Sequence, residues 1–160
     1  HHGLIYHTMG RILRTDSSNP DFIQLVALLD ADLALRDGED NAFYAQFNAI
    51  DVLKNCLVYY VQDMAIGCGA IKRFDASAME VKRMYVNPDA RGKGIASLLL
   101  AELEKWTKEL GYTHCVLETG QRQPEAIALY KKNGYIVTPN YPPYEGVDNS
   151  VCFKKKVSDQ

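Results

Sequence analysis

The sequence lacks the features of an exported, membrane-bound or metal-binding protein. No apolar run among its 160 residues is long enough to cross a bilayer, and its first residues do not have the charged-then-apolar layout of a signal peptide. Its cysteines stand singly, without a Cys-x-x-Cys pair or a cluster of histidines, at Cys56, Cys68, Cys115 and Cys152. We therefore expect free, buried thiols in a cytoplasmic protein that holds no metal and no disulfide.

The chain also lacks an excess of positive charge. Its 18 Lys and Arg residues against 20 Asp and Glu residues give a formal net charge of −2. Proteins that bind nucleic acids or acidic membranes present a strongly basic surface instead. We therefore expect neither a nucleic acid nor a membrane as a partner, and any basic site must be local. Such a local excess of positive charge is expected beside the turn that follows residue 86, from Lys82, Arg83, Arg91 and Lys93 against Asp89.

Length and composition favour a single folded domain. Hydrophobic residues make up 47% of the chain, which is enough for one well-buried core, and 160 residues are too few for two comfortable domains. The chain contains no internal repeat and no low-complexity tract. It opens with His1-His2-Gly3, which is typical of a purification tag, so we expect residues 1–8 to be a tag or linker remnant and residues 9–160 to form the domain.

The stretch from Glu80 to Leu110 predicts a strand, a turn and a helix in succession. Residues 81–86 include several strand formers, Asn87-Pro88-Asp89 is typical of a turn, and Gly111 is suited to end a helix. Between the turn and that end, apolar residues recur at helical spacing, at Ile95, Leu99, Leu103, Trp106 and Leu110. The pattern places a glycine-containing turn directly before a helix N-terminus.

That turn has the composition of an anion-binding site. Arg91-Gly92-Lys93-Gly94 combines two cations with two glycines, which let a ligand approach the backbone closely. The first N–H groups of the helix have no partner within it and, with the helix dipole, attract a negative group such as a pyrophosphate. The P-loop pattern fails, because it needs four residues between its first Gly and a Gly-Lys that Ser or Thr follows. The dinucleotide motif Gly-x-Gly-x-x-Gly also fails, because Ser97 occupies the third glycine position. A plain glycine-rich turn before a surface helix is the alternative.

The whole chain predicts strands and helices in the order β-α-α-β-β-β-α-β-α-β-β, which indicates a mixed sheet with helices on both sides. The first helix is expected to begin at Pro20 behind an Asn19 cap and to break near Asp37-Gly38, and the two-residue link Gln62-Asp63 is expected to join a hairpin. The other predicted elements are strands at 11–15, 56–61, 65–71, 113–119, 135–137 and 150–153 and helices at 41–50 and 124–132.

Two segments have both a structural and a functional interpretation. An acidic group, with only Arg36 among it, predicts a solvated helix corner or a surface that attracts a cationic substrate; it consists of Asp30, Asp32, Asp37, Glu39 and Asp40. The loop Pro139–Gly146 is long for a hairpin, which indicates a packed surface loop or a binding role. Its Tyr141-Pro142-Pro143-Tyr144 segment favours a lid that covers a binding pocket, as opposed to an open groove.

Two motifs resemble the signatures of the GNAT superfamily of N-acetyltransferases. Arg91-x-x-Gly94-x-Ala96, after a strand and at the start of an amphipathic helix, is similar to the family's acetyl-CoA loop. Residues 123–135 are similar to the family pattern Asn-x-x-Ala-x-x-Leu-Tyr followed by Gly and an aromatic residue, except that Gln123 replaces the Asn. The chain thus resembles a bacterial-type, single-domain member of this superfamily.

The resemblance implies an α/β (mixed α+β) fold with a mostly antiparallel sheet of about seven strands, splayed fourth and fifth strands, and four helices. It implies acetyl-CoA as the co-substrate, no metal, and a homodimer as a state common in the family. In that family, pantetheine lies between the splayed strands and the pyrophosphate rests on the glycine turn. The cofactor-binding residues so implied are Met84, Tyr85, Val86, Arg91, Gly92, Lys93, Gly94, Ile95, Ala96, Gln123 and Tyr130.

Acetyl transfer to an amine needs a neutral nitrogen, a stabilised oxyanion and a proton for the leaving thiolate. Deprotonating an alkylamine of pKa about 10.4 costs about 4 to 5 kcal/mol at pH 7, so a general base is expected. The resemblance implies Glu80 as that base, directly or through a water. Glu118, at the end of the fifth predicted strand, is the reserve candidate. Either is also explained as an ordinary strand-end carboxylate. Tyr130 is implied as the acid that protonates the sulfur, with backbone N–H groups near Met84 as oxyanion donors.

We therefore predict an acetyl-CoA-dependent N-acetyltransferase that acetylates a primary amine of a small cationic metabolite by direct attack in a ternary complex. One alternative is a protein acetyltransferase that acts on lysine side chains or an N-terminus, which an open groove would favour. Another is a non-catalytic module that binds acetyl-CoA without turnover, against which the presence of Tyr130 argues.

Overall fold

The computed structural model of the chain describes residues 10–38 and 52–159. The strands are β1 (Gly10–Thr15), β2 (Asn55–Val61), β3 (Met64–Arg73), β4 (Ala78–Val86), β5 (His114–Gly120), β6 (Ile136–Thr138) and β7 (Ser150–Lys156). The α-helices are α1 (Pro20–Asp37), α2 (Ile95–Glu109) and α3 (Pro124–Lys132), and Pro88–Ala90 forms a short 3-10 helix. None of the helices within these ranges has the length and apolar character that crossing a bilayer requires. Residues 1–8 and the predicted helix at 41–50 lie outside the described residues.

All seven strands lie in one sheet, in the order β1-β2-β3-β4-β5-β7-β6. Every neighbouring pair is antiparallel except β4 and β5, which run parallel. The pair is parallel because α2 connects β4 to β5 in the chain and returns the backbone to the end of the sheet at which β4 began. The prediction of a mixed, mostly antiparallel sheet is confirmed, and the Gln62-Asp63 link joins β2 to β3 as expected.

The sheet is covered on both faces, which explains the continuous apolar runs of its central strands. Successive residues of β2 point to opposite faces. Leu57 and Tyr59 belong to the core under α2 and α3, whereas Val58 and Tyr60 belong to the core under α1. The helices are therefore divided between the two faces, as the predicted element order indicated.

The ends of the helices follow the sequence signals. The Asn19 side chain accepts hydrogen bonds from the backbone N–H groups of Asp21 and Phe22, at 2.9 and 3.1 Å, which caps α1. Beyond α2, Gly111 takes a left-handed conformation with a φ of 91°. Leu110, the last residue of the predicted apolar stripe, is 43% exposed because it lies past the final helical turn.

β4 and β5 pair over only three residues each. The parallel register joins Ala78–Glu80 to His114–Val116, and the strands then separate, although β4 continues to Val86 and β5 to Gly120. The prediction that the fourth and fifth strands splay apart is thereby confirmed. Beyond Glu80, the edge of β4 that faces β5 has no strand to pair with, so its backbone N–H and C=O groups face the gap.

A β-bulge distorts β4 beside this gap. The register between β3 and β4 shifts so that one residue of β3, Gly69, lies opposite two residues of β4, Arg83 and Met84. Arg83 has a φ of 61°, a left-handed conformation that is uncommon outside glycine. The Met84 side chain covers Gly69 so closely that an added Cβ would lie 2.7 Å from its Sδ atom. The bulge therefore decides where both side chains of β4 point.

Candidate active site

Glu80 lies at the closed end of the gap between β4 and β5. It is the last residue of β4 that pairs with β5, opposite Val116. Its half-buried carboxylate accepts a hydrogen bond from the hydroxyl group of Tyr141, with 2.8 Å between Glu80 Oε2 and the phenol oxygen. The residue predicted as the base thus lies where the strands diverge, in contact with the loop predicted as a lid.

A cavity of about 120 Å³ adjoins Glu80, and we call it the inner cavity. Residues of α1, β4, β5, α3 and the β6–β7 loop form its walls. Tyr130 and Tyr144 contribute phenol groups to this wall. Its charged lining residues are Glu80, Lys82, Arg83 and Glu118. Both carboxylates considered as a base therefore reach the same space.

A larger cavity of about 350 Å³ lies in front of the α2 N-terminus, and we call it the cleft. With the exception of Lys93, which is exposed outside it, the predicted cofactor residues line the cleft: Met84, Tyr85, Val86, Arg91, Gly92, Gly94, Ile95, Ala96, Gln123 and Tyr130. The cleft and the inner cavity share Leu29, Met84, Gln123, Ala126 and Tyr130 in their walls. The two spaces therefore meet at Tyr130.

The glycine turn at the α2 N-terminus presents open backbone. Gly92 and Gly94 have φ values of 79° and 82°, and no atom lies within 4 Å of the place where either Cβ would be. Gly94 is the N-cap of α2 and makes no side-chain cap hydrogen bond, so no cap side chain covers the first N–H groups of the helix. Arg91 is anchored beside the turn because its Nε donates to the Val86 carbonyl oxygen at 2.9 Å.

Ion pairs line one side of the cleft. Arg36 of α1 pairs with Glu125 of α3 and lies 3.5 Å from Asp32. Asp32 also lies 4.0 Å from the Arg91 guanidinium group. All four residues line the cleft. Asp32 is thus paired rather than merely solvated, while the side chains of Asp37, Glu39 and Asp40 are outside the description.

Arg83 and Lys82 are not where the sequence placed them. Both were expected to add positive charge beside the glycine turn, yet they line the inner cavity and not the cleft. Arg83 is buried, and its Nη1 donates to Asp30 Oδ1 of α1 at 3.1 Å. The expectation was wrong because the bulge turns Arg83 towards α1, and a one-residue register shift reverses the face to which a side chain points.

Tyr130 is buried where the two cavities meet. Its ring packs against Tyr135 and Phe153, with centroids 5.9 and 6.0 Å away. Burial raises the pKa of the Tyr130 phenol, and the negative charge of Glu118 raises it further. Within the described part of the chain, its hydroxyl group has no hydrogen-bond partner. Tyr130 is therefore protonated at neutral pH and borders both cavities.

Glu118 is the second carboxylate of the inner cavity. It lies on β5 beyond the last residue paired with β4, and Ser150 Oγ donates a hydrogen bond to its Oε2 at 2.8 Å. The two carboxylates thus differ in their hydrogen-bond donors. Glu80 accepts a hydrogen bond from a phenol, and Glu118 accepts one from an aliphatic hydroxyl group.

The cysteines are free and buried, as predicted. Burial raises the pKa of Cys56 to about 12 and that of Cys115 and Cys152 to about 11, and it raises the pKa of Cys68 as well. Among residues 10–38 and 52–159, no three His, Cys, Asp or Glu side chains are grouped so as to hold a metal ion.

The sequence interpretation missed the contribution of α1 to both cavities. Leu29 and Leu33 line the inner cavity, and Leu29, Asp32 and Arg36 line the cleft. A signal existed, because residues three or four apart share one face of a helix. The polar residues of α1 that continue its apolar stripe could therefore have been assigned to the ligand side of that helix.

Comparison with known proteins places this geometry in a family. The profile described as "Acetyltransferase (GNAT) domain" matches residues 53–137. The chain is 40% identical over 92 residues to an IAA acetyltransferase of Azospirillum brasilense and 37% identical over 95 residues to an uncharacterized N-acetyltransferase of Schizosaccharomyces pombe. These matches cover 57% and 59% of this chain and span 60% and 58% of the two relatives, so each leaves a large part of the relative unmatched.

Solved structures share nearly the whole fold. A Klebsiella pneumoniae protein classed as an acyl-CoA N-acyltransferase superimposes with a TM-score of 0.79 and 31% identity, over 94% of this chain and 99% of that one. An Elizabethkingia anophelis GNAT family acetyltransferase with acetyl-CoA bound superimposes with a TM-score of 0.66 and 18% identity, over 93% and 99% of the two chains. From the profile match and the Klebsiella relative, the chain belongs to the GNAT acetyltransferase family.

Proposed function

We propose that this chain is an acetyl-CoA-dependent N-acetyltransferase that acetylates a primary amine of a small cationic metabolite by direct attack in a ternary complex. The observation that carries the proposal is the meeting of the cleft and the inner cavity at Tyr130. A thioester in the cleft and an amine in the inner cavity would come together beside a buried phenol, with the Glu80 carboxylate in the wall of the inner cavity.

The cleft suits acetyl-CoA in both charge and shape. The N–H groups at the start of α2 and the Arg91 guanidinium group attract a pyrophosphate, and Gly92 and Gly94 leave room for it. The unpaired edge of β4 beside Met84 and Val86 offers backbone hydrogen bonds to the amide groups of pantetheine. Gln123 shares both cavities and provides an amide for the same arm.

The side chains of the inner cavity supply the proton transfers. As the amine nitrogen bonds to the thioester carbonyl carbon, Glu80 takes the proton that the nitrogen loses, directly or through a water. The developing oxyanion is stabilised by backbone N–H groups of β4 near Met84. As the carbon–sulfur bond breaks, Tyr130 donates its proton to sulfur. Burial raises the pKa of the Tyr130 phenol, so the phenol is protonated at neutral pH and has a proton to donate.

Features of the inner cavity favour a small acceptor over a peptide. Its volume is about 120 Å³, and Tyr144 of the β6–β7 loop closes part of its wall. Glu80 and Glu118 attract an ammonium group. Two cations of the same cavity wall, Lys82 and Arg83, would repel it, but the charge of Arg83 is partly neutralised by its ion pair with Asp30. A protein substrate would require an open groove instead. The homodimer and the cytoplasmic location stay predictions.

The test is mass-spectrometric detection of acetylated products from acetyl-CoA and pooled polyamines, amino acids, aminoglycosides and lysine peptides. Product from small amines and none from peptides is expected. Product from peptides alone would replace the small-amine proposal with protein acetylation. Bound acetyl-CoA without any product would favour a non-catalytic module.

The role of Tyr130 has its own matched test. Tyr130→Phe is expected to lower kcat about 100-fold, since a positioned proton donor contributes about that factor or more. Tyr112→Phe is the control, because Tyr112 packs against the same core and lines neither cavity. Normal turnover by Tyr130→Phe would overturn its assignment as the acid.

A further inference from the structure

The β6–β7 loop touches the proposed base directly, at a contact that joins residues far apart in sequence. The Tyr141 hydroxyl group donates to Glu80 Oε2 at 2.8 Å. Among the described residues, it is the sole hydrogen-bond partner of this carboxylate. The side chain of a glutamate has several rotatable bonds, so its two carboxylate oxygens can occupy many positions. A hydrogen bond from one fixed donor restricts those positions.

The Tyr141 ring is itself held in place. It packs edge-on against Phe74, with centroids 4.6 Å apart, and against Tyr144, with centroids 5.8 Å apart. Burial raises the pKa of Tyr141, and the charge of Glu80 raises it further, so the phenol stays protonated and donates rather than accepts. The donor is therefore fixed in position and in protonation state.

The loop has internal bonds that preserve this placement. Asn140 Nδ2 lies 3.2, 3.3 and 3.1 Å from the carbonyl oxygens of Tyr144, Val147 and Ser150. The backbone N–H group of Tyr144 also donates to the Tyr141 carbonyl oxygen at 2.7 Å. One compact turn thus brings Tyr141 to Glu80 and Tyr144 to the wall of the inner cavity.

We propose that Tyr141 is a positioning residue, which holds one oxygen of the Glu80 carboxylate so that the other faces the acceptor amine. The inference rests on the proposed acetyl transfer with Glu80 as the base. It gives the β6–β7 loop a part in catalysis, since the loop both walls the acceptor space and orients the group that deprotonates the acceptor.

The experiment compares Tyr141→Phe, Glu80→Gln and the double variant in steady-state assays. Tyr141→Phe keeps the ring and removes the donor. We expect kcat to fall about tenfold, which corresponds to about 1.4 kcal/mol, while KM for acetyl-CoA stays unchanged. Tyr112→Phe serves as the control and should match the wild type.

The double variant separates positioning from packing. If Tyr141 acts through Glu80, Tyr141→Phe should have no further effect in the Glu80→Gln background. An unchanged kcat in Tyr141→Phe, or an equal loss in both backgrounds, would overturn the positioning role while leaving the acetyltransferase proposal intact. Full activity of Glu80→Gln would overturn the base assignment and the positioning role with it. No turnover by the wild type with any acceptor would overturn both proposals.

Discussion

Arg36 and Glu125 form an ion pair that joins α1 to α3 at the wall of the cleft. Asp32 extends this pairing to Arg91, so carboxylates face both guanidinium groups in the space that an anionic ligand would enter. A ligand with phosphate groups must compete with these carboxylates for the arginines. The charge of the cleft is therefore partly neutralised before a ligand arrives.

Neutralising Glu125 and neutralising Arg36 should change KM for acetyl-CoA in opposite directions. Glu125→Gln removes a negative charge and should lower KM about two- to fivefold, whereas Arg36→Gln should raise it by a similar factor, since partly exposed pairs contribute about 0.2 to 1 kcal/mol. Asp63→Asn, an equal charge change at the exposed β2–β3 turn, is the control. Initial rates at low and high salt should show that both effects shrink as screening increases. Shifts of equal sign would contradict the argument.

The two glycines that flank α2 provide a matched pair of substitutions. Gly94 and Gly111 have φ values of 82° and 91°, with no atom within 4 Å of an added Cβ. Alanine at either position should cost about 1 to 2 kcal/mol of unfolding free energy through left-handed strain alone. Gly94→Ala should also weaken acetyl-CoA binding, measured by calorimetry, because it perturbs the N–H groups of the glycine turn. Equal binding by the two variants would show that the turn is not part of the cofactor site.

His114 should make the protein less stable in mild acid. Burial lowers the pKa of His114 below the ordinary 6.5, and Lys154 and Lys156 lower it further, against an opposing effect of Asp75. Below pH 6.5 the unfolded chain therefore binds more protons than the folded chain, so the free energy of unfolding falls as the pH falls. Urea denaturation at pH 5.5 and 7.5 should show a smaller pH effect in His114→Gln than in the wild type. An identical pH effect would rule out this contribution.

The cysteines of the folded protein should react only slowly with thiol reagents. All four are buried, and burial raises their pKa values, so the reactive thiolate is scarce at neutral pH. We expect almost no colour from a disulfide reagent within minutes in buffer and four thiols per chain in denaturant. Because the four thiols are buried, an assay that detects the thiol of released coenzyme A is usable with this protein. Fast reaction of native protein would contradict this.

Local patterns predicted most of the fold. Apolar periodicity and cap residues placed the described helices and strands, because the Asn19 and Gly111 signals act within one turn of the residue that bears them. The resemblance carried by the two family motifs predicted the splayed strands. It also assigned Tyr130 and the glycine turn to one binding site, and both line the cleft. These features depend on neighbours in sequence or on a pattern that spans one element.

The parts that the sequence did not predict depend on register and on distant contacts. Nothing in the composition of β4 marks Arg83 as the bulged residue, yet the bulge sends its side chain to Asp30 of α1. The Tyr141 contact with Glu80 and the Arg36 contact with Glu125 join separate elements whose approach is set by the packing of the whole sheet. The loop was predicted as a lid, but the carboxylate that it holds could be seen only in three dimensions.

The separation of β4 from β5 also places an exposed strand edge inside the molecule. At the rim of a sheet, such an edge is a hazard that invites pairing with other chains. Under the proposed function, the same edge enclosed between two strands of one sheet would serve as a docking template, which reads the length and amide spacing of an extended ligand rather than the identity of any side chain. If the proposal holds, substitutions of β4 side chains would alter the acceptor space without altering the backbone groups that bind the acyl carrier.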